Sequence, residues 1–180
     1  MQILMTGSSG LVGNSLMPFL TTGGHSVVRL VRSAAPLAAT SVSWDPSAGQ
    51  IDAAGIEGCD AVVHLAGESI AARRWSVKQK DLIRTSRVTG TRLLCESLAR
   101  MAKPPQVLVS ASAIGFYGDR GDFTMTESSA PGSGFLPDVC REWESETKPA
   151  VSAGIRVVHL RLGIVLSPAG GALAKMLTPF

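Results

Sequence analysis

The chain reads as short apolar runs separated by longer stretches in which apolar positions recur every three or four residues. Residues 2–5 open as a buried-strand run, and residues 11–22 follow with helical character up to the pair Gly23-Gly24. Residues 26–31 form a second strand. The segment 33–58 is rich in Ala, Pro, Ser and Gly, and within it only 41–44 reads as a short third strand. Residues 60–65 are a clear apolar strand, followed by the loop Ala66-Gly67-Glu68. From about 77 to 101, Leu82, Ile83, Val88, Leu93, Leu94 and Leu98 recur at helical spacing, and Pro104-Pro105 stop that helix. A further buried strand covers 106–110, and a long polar loop runs through Gly134. Residues 135–153 are helical with Trp143 on the apolar face, and 156–160 form a last strand.

Strands alternating with helices imply right-handed crossovers and a doubly wound parallel sheet in three αβα layers, as one domain over residues 1–180. Ligands of such sheets bind beyond the carboxyl ends of the strands, where the polar segments 7–13, 31–32, 65–68 and 110–119 all fall. The first of these carries three glycines directly between a strand and a helix, the context that a dinucleotide-binding turn requires. Gly7 allows the tight turn, Gly10 admits a pyrophosphate, and Gly13 lets the helix pack close to the strand. Ser8, Ser9, Leu11 and Val12 complete a turn whose backbone N–H groups face the phosphates. At the end of the second strand stand Val31 and Arg32, with no carboxylate to accept a ribose hydroxyl. An arginine there suits a 2′-phosphate, which favours NADP(H) over NAD(H).

Composition sharpens this picture mainly by exclusion. With 45% apolar and 17% charged residues in 180, the chain is globular and rather hydrophobic. The net charge is +3, and the basic cluster Arg73, Arg74, Lys78, Lys80, Arg84 and Arg87 has only Trp75 interleaved. It reads as a solvated helix face, so no nucleic-acid partner is expected. No apolar run reaches the length of a membrane span, and none is expected at a membrane. Cys59, Cys95 and Cys140 are far apart and odd in number, which suits reduced thiols in the cytoplasm. With His25, His64 and His159 equally isolated, no metal site is expected.

The segments TGSSGLVG, DAVVHLAGESI, SRVTGTRLL, VLVSASAIGFYGDRGD and LRLGIVLSPAGGALAKML together resemble the short-chain dehydrogenase/reductase superfamily. The likeness is narrower still to its atypical group of "epimerase family" proteins, NAD-dependent epimerase/dehydratase-like. The resemblance implies that Leu65, Ala66 and Gly67 lie along the cofactor. It places Arg87 where relatives usually carry an Asn, within reach of the cofactor, and Arg161 beside its nicotinamide end. Ser112 aligns with the superfamily's catalytic hydroxyl, with Ser110 as the other candidate, and Tyr117 in the next turn is a replacement acid.

Two departures bear on the chemistry. Where the superfamily carries a proton-transferring Tyr and a Lys four residues on, this chain has Phe135 and Val139, which can neither donate a proton nor hold a charge. In relatives the chain also continues beyond the segment matching 172–180 into a substrate-binding lobe, so most of that lobe is expected to be lacking here. Apolar Leu173, Met176, Leu177 and Phe180 would then form an exposed patch, which self-association as a homodimer is one way to cover. The expected activity is that of an NADP-dependent epimerase or oxidoreductase on a small hydroxylated or nucleotide-sugar-like substrate. The alternative is a non-catalytic dinucleotide-binding sensor or interaction module.

Overall fold

A computed structural model of the chain describes residues 1–32, 40–71 and 73–177. The described elements are β1 (Gln2–Thr6), α1 (Leu11–Thr22), β2 (Ser26–Val31), β3 (Ser41–Asp45), β4 (Gln50–Ile51), α2 (Ala53–Ile56), β5 (Ala61–His64), α3 (Val77–Ala99), β6 (Val107–Ala113), a 3₁₀ turn (Ile114–Tyr117), α4 (Phe135–Ser145), α5 (Lys148–Ser152), β7 (Arg156–Leu162), β8 (Leu166–Ser167) and α6 (Gly171–Leu177). A seven-stranded sheet has the order β4-β3-β2-β1-β5-β6-β7, parallel except for the antiparallel edge pair β3–β4. The order reverses direction between β1 and β5, so the topological switch point lies at their carboxyl ends.

The strand pleat sorts side chains between two faces. Leu4, Leu30, Val62 and Leu108 point to one face and form the main core with Leu94, Cys95 and Leu98 of α3, Ala150 of α5 and Ile56 of α2. Ile3, Met5 and Val27 are buried on the other face, where a right-handed β1-α1-β2 crossover places α1. All three cysteines are free and buried. Among the described residues, no helix is long and apolar enough to cross a membrane.

Several elements differ from the sequence expectation for identifiable reasons. The strand expected to stop at residue 110 continues to Ala113, because Ser112 and Ala113 pair with Arg161 and Leu162 of β7. That alternation of Ser and Ala carries little hydrophobic signal. The helix expected over 135–153 is two helices, α4 and α5. Pro149 has no N–H to donate to the carbonyl four residues back, and its ring clashes with that carbonyl, so α4 ends and Pro149 sits in the first turn of α5, where no such bond is needed. At the end of the chain, Met176 and Leu177 are exposed as expected and Leu173 is half-buried. Phe180 lies outside the described residues.

The polar heart of the sheet is a chain of three side chains. Thr6 Oγ1 lies 2.7 Å from His64 Nδ1, and His64 Nε2 lies 2.9 Å from Thr91 Oγ1. Thr6 Oγ1 also accepts the N–H groups of Leu65 and Ala66, each at 3.1 Å. With its lone pairs so used, Thr6 must donate to Nδ1, which fixes the neutral tautomer with hydrogen on Nε2, donated to Thr91. His64 is fully buried, and burial pushes its pKa down from 6.5 to about 4.

The folded state therefore binds fewer protons at this site than the unfolded state, and stability falls as pH drops from 6.5 towards about 4. The contribution lost over that window is about 3 kcal/mol. Urea unfolding at a series of pH values checks this: the wild-type slope is expected to flatten in His64→Gln, whose side chain does not titrate.

Candidate functional site: a dinucleotide cleft and a neighbouring polar cluster

The β1–α1 turn is shaped by what its glycines lack. Gly7 has φ +69°, and a Cβ there would sit 2.7 Å from the carbonyl carbon of Leu65. A Cβ on Gly13 would lie 2.3 Å from Gly7 O, so the helix rests directly on the turn. Gly10 is the N-cap of α1 and offers no side-chain acceptor to the first-turn N–H groups. That turn carries no acidic residue either. Its N–H groups and the positive end of the helix dipole are thus presented to whatever lies in front of them.

In front of the turn is a cleft of about 480 Å³, within the size range of small-molecule sites. Gly7, Ser8, Ser9 and Gly10 form one wall, and Leu65, Ala66, Gly67 and Glu68 form another. Val31 and Arg32 line it from the end of β2, and Leu82, Ser86 and Thr89 line it from α3. Leu11, Val12 and Gly13 are not among the lining residues. They form the first turn of α1 behind the wall, where Leu11 lies against Gly170 and Gly171.

One lining carboxylate was not visible from the sequence. Asp45, at the end of β3, lies in the same cleft as Arg32. Its Oδ1 accepts from the Ser47 hydroxyl at 2.5 Å and from the Ser47 and Ala48 N–H groups, and these bonds hold its pKa below the usual carboxylate range. The Asp-Pro-Ser-Ala run is a turn signal that could have drawn attention to it. The acid is thus tied into its own turn, while Arg32 remains on the cleft wall.

Arg87 lies beneath the second wall rather than in it. Its Nη1 donates to Glu68 O at 2.9 Å and Ile83 O at 3.1 Å, and its guanidinium sits 5.1 Å from the Trp143 ring centroid. Burial pushes its pKa below the usual arginine range. A Cβ on Gly67 would come within 3.2 Å of that guanidinium, so Arg87 props the loop from below.

The remaining candidates gather on the neighbouring strands. Ser110 is buried opposite His64 in the β5–β6 register and does not line the cleft. Ser112 donates to Glu144 Oε1 at 2.6 Å. Arg161, opposite Ser112 in register, donates from Nε to Oε1 and from Nη2 to Oε2 of Glu144, both at 2.9 Å. Its Nη1 donates to the Tyr117 hydroxyl at 2.9 Å and to Glu127 O at 3.1 Å. The Phe116 ring lies against the guanidinium, 3.5 Å from centroid to carbon. Hydrogen bonds from Arg161 and Ser112 outweigh the opposing effect of burial, the largest single influence, and hold the Glu144 carboxyl below its ordinary value. Phe135 packs edge-to-face on Trp75 at 5.6 Å, and Val139 is buried.

Several known proteins are similar to the chain along nearly its whole length. Epimerase family protein Mb2239 of Mycobacterium bovis is 42% identical over 174 residues, covering 97% of this chain and 57% of the relative. Among solved structures, the nucleoside-diphosphate sugar epimerase from Corynebacterium glutamicum is 43% identical with a TM-score of 0.86, covering 98% of this chain and 37% of that one. Human epimerase family protein SDR39U1 (isoform 2), solved with NADPH, is 29% identical with a TM-score of 0.85, covering 99% and 59%. The chain therefore spans less than two thirds of the length of these relatives. The model of the NAD dependent epimerase/dehydratase family matches residues 3–176, a span that takes in the glycine turn, the cleft and the Ser112–Arg161 cluster, and the chain belongs to that family.

Proposed function

We propose that this chain binds NADP(H) in the cleft between the β1–α1 turn and the Leu65–Gly67 loop, and that it serves an epimerase or oxidoreductase acting on a small hydroxylated or nucleotide-sugar-like substrate. The observation that carries the reading is the bare cradle at Gly10. A helix end with neither a capping side chain nor an acidic first turn faces a cleft large enough for a nucleotide. The residues fit the group. Gly7–Gly10 would hold the pyrophosphate, Val31 and Arg32 the adenosine ribose, and Leu65–Gly67 the stretch towards the nicotinamide.

Arg32 favours the phosphorylated cofactor, since a guanidinium gains charge-assisted bonds to a 2′-phosphate. Asp45 commits Oδ1 to Ser47 and Ala48 and keeps Oδ2 as an acceptor, so the preference rests on Arg32. Human SDR39U1 was solved with NADPH, which agrees with this choice. When bound, the cofactor supplies or accepts hydride. The chain contributes orientation and electrostatics, with Ser112 and Tyr117 as the hydroxyls that meet the substrate oxygen. A sensor reading draws on Phe135 and Val139. The second polar cluster, however, offers a hydroxyl, a phenol and a cation on the same edge of the sheet, which supports catalysis.

Fluorescence titration is expected to show NADPH binding more tightly than NADH. Arg32→Ala should narrow the difference by about 10- to 100-fold, the worth of a charged hydrogen bond. Equal wild-type affinities would remove the argument from Arg32.

Gly10→Ala separates binding from folding. Its backbone has φ −78°, open to any residue, and the added methyl meets only Gly7 O at 3.3 Å. Thermal unfolding should move by no more than about 1 kcal/mol in stability. NADPH affinity should fall by about tenfold or more, because the methyl stands where the phosphates approach. Gly13→Ala, with its clash at 2.3 Å, should lose both.

A further inference from the structure

Resting on the cofactor reading above, we propose that Tyr117 and Arg161 form a tyrosine–cation pair that delivers the proton in carbonyl reduction, with Glu144 as the positioning residue that holds Arg161 and Ser112 in place. The pair does the work that Phe135 and Val139 cannot.

Hydrogen-bond polarity fixes the role of the phenol. A guanidinium has donors and no acceptor, so in the 2.9 Å contact between Arg161 Nη1 and the Tyr117 hydroxyl the phenol oxygen must accept. Its own hydrogen is then free to be given to another oxygen. Ser112 is buried, and its hydrogen is committed to Glu144 at 2.6 Å, so it anchors the carboxylate that holds Arg161. A donor of fixed sense thus stands in the turn that follows β6, one strand over from the β5 loop that walls the cleft.

Glu144 makes the arrangement rigid. It grips Arg161 through two parallel bonds at 2.9 Å while accepting Ser112, and the Phe116 ring fixes the plane of the guanidinium from one side. The Arg161 and Glu144 side chains are 19% and 12% exposed, so water screens the pair only weakly. Phe135 is taken up in packing, with Trp75 against it and Lys80 over its ring at 5.3 Å.

Reduction of a carbonyl needs two electrons and a hydrogen at carbon, which NADPH supplies on oxidation to NADP⁺, and one proton at oxygen. The Tyr117 O–H bond breaks as the O–H bond of the product alcohol forms. The phenolate left behind carries a negative charge against the Arg161 N–H and regains its proton from solvent. In the reverse direction the phenolate takes the alcohol's proton. The substrate class is a small carbonyl compound or the corresponding alcohol.

The test measures NADPH affinity by fluorescence and NADPH oxidation with two carbonyl probes, phenanthrenequinone and acetoin. Tyr117→Phe removes one oxygen and is expected to lower kcat by about 100-fold or more, with KM and the NADPH Kd each within about threefold. Glu144→Gln is expected to lower kcat by about tenfold and Glu144→Asp to recover most of it, with circular dichroism confirming that both fold. Undiminished kcat in Tyr117→Phe overturns the inference. So does a wild-type protein that binds NADPH yet reduces neither probe, a result that leaves the cofactor reading intact. Failure of the wild type to bind NADPH overturns both.

Discussion

The bonds from Thr6 through His64 to Thr91 are the constraint on which the cleft depends. They join the ends of β1 and β5 to the middle of α3 inside the sheet's main core. Thr6 also receives the first two N–H groups of the loop after β5, so the second wall of the cleft hangs from the strand that begins the first. Gly7 then closes the gap, since any side chain there would strike Leu65 and Ala66. A buried polar chain of this kind is worth its desolvation only when every member is satisfied. Here the accepted N–H groups force one tautomer on the histidine, and both of its ring nitrogens find partners.

The fold was largely legible because its signals are local. The strand runs at 2–6, 26–31 and 60–65, the glycine turn and the long periodic helix each declare themselves within a window of a few residues. What stayed hidden depends on tertiary partners. Ser112 and Ala113 extend β6 only because β7 pairs with them. Asp45 enters the cleft only because β3 lies beside β2. Glu144 reads in the sequence as one more acid on an amphipathic helix. Its meaning appears only when α4 packs beside β6 and β7 and turns it towards Ser112 and Arg161. Arg87 shows the reverse case. The resemblance puts it within reach of the cofactor, and the fold places it under the loop.

Two sites therefore share one edge of the sheet, and they differ in what makes them. The cleft is defined by absence: glycines, and a helix end with neither a capping side chain nor an acidic first turn. The second cluster is defined by saturation, with Glu144 accepting three bonds and Arg161 donating to Glu144, Tyr117 and Glu127. A bare surface suits binding by backbone. A saturated one suits holding a few atoms in fixed orientation, which is what proton transfer demands.

Under the proposed function, backbone N–H groups at the head of α1 bind a diphosphate. Two-dimensional amide NMR spectra recorded during addition of NADPH test it most directly. The largest shifts are expected on the amides of Ser8 to Gly13, with smaller ones on Arg32 and on Leu65 to Gly67. Saturating NADPH that leaves the Ser8–Gly13 amides unmoved, or moves amides elsewhere instead, would contradict it.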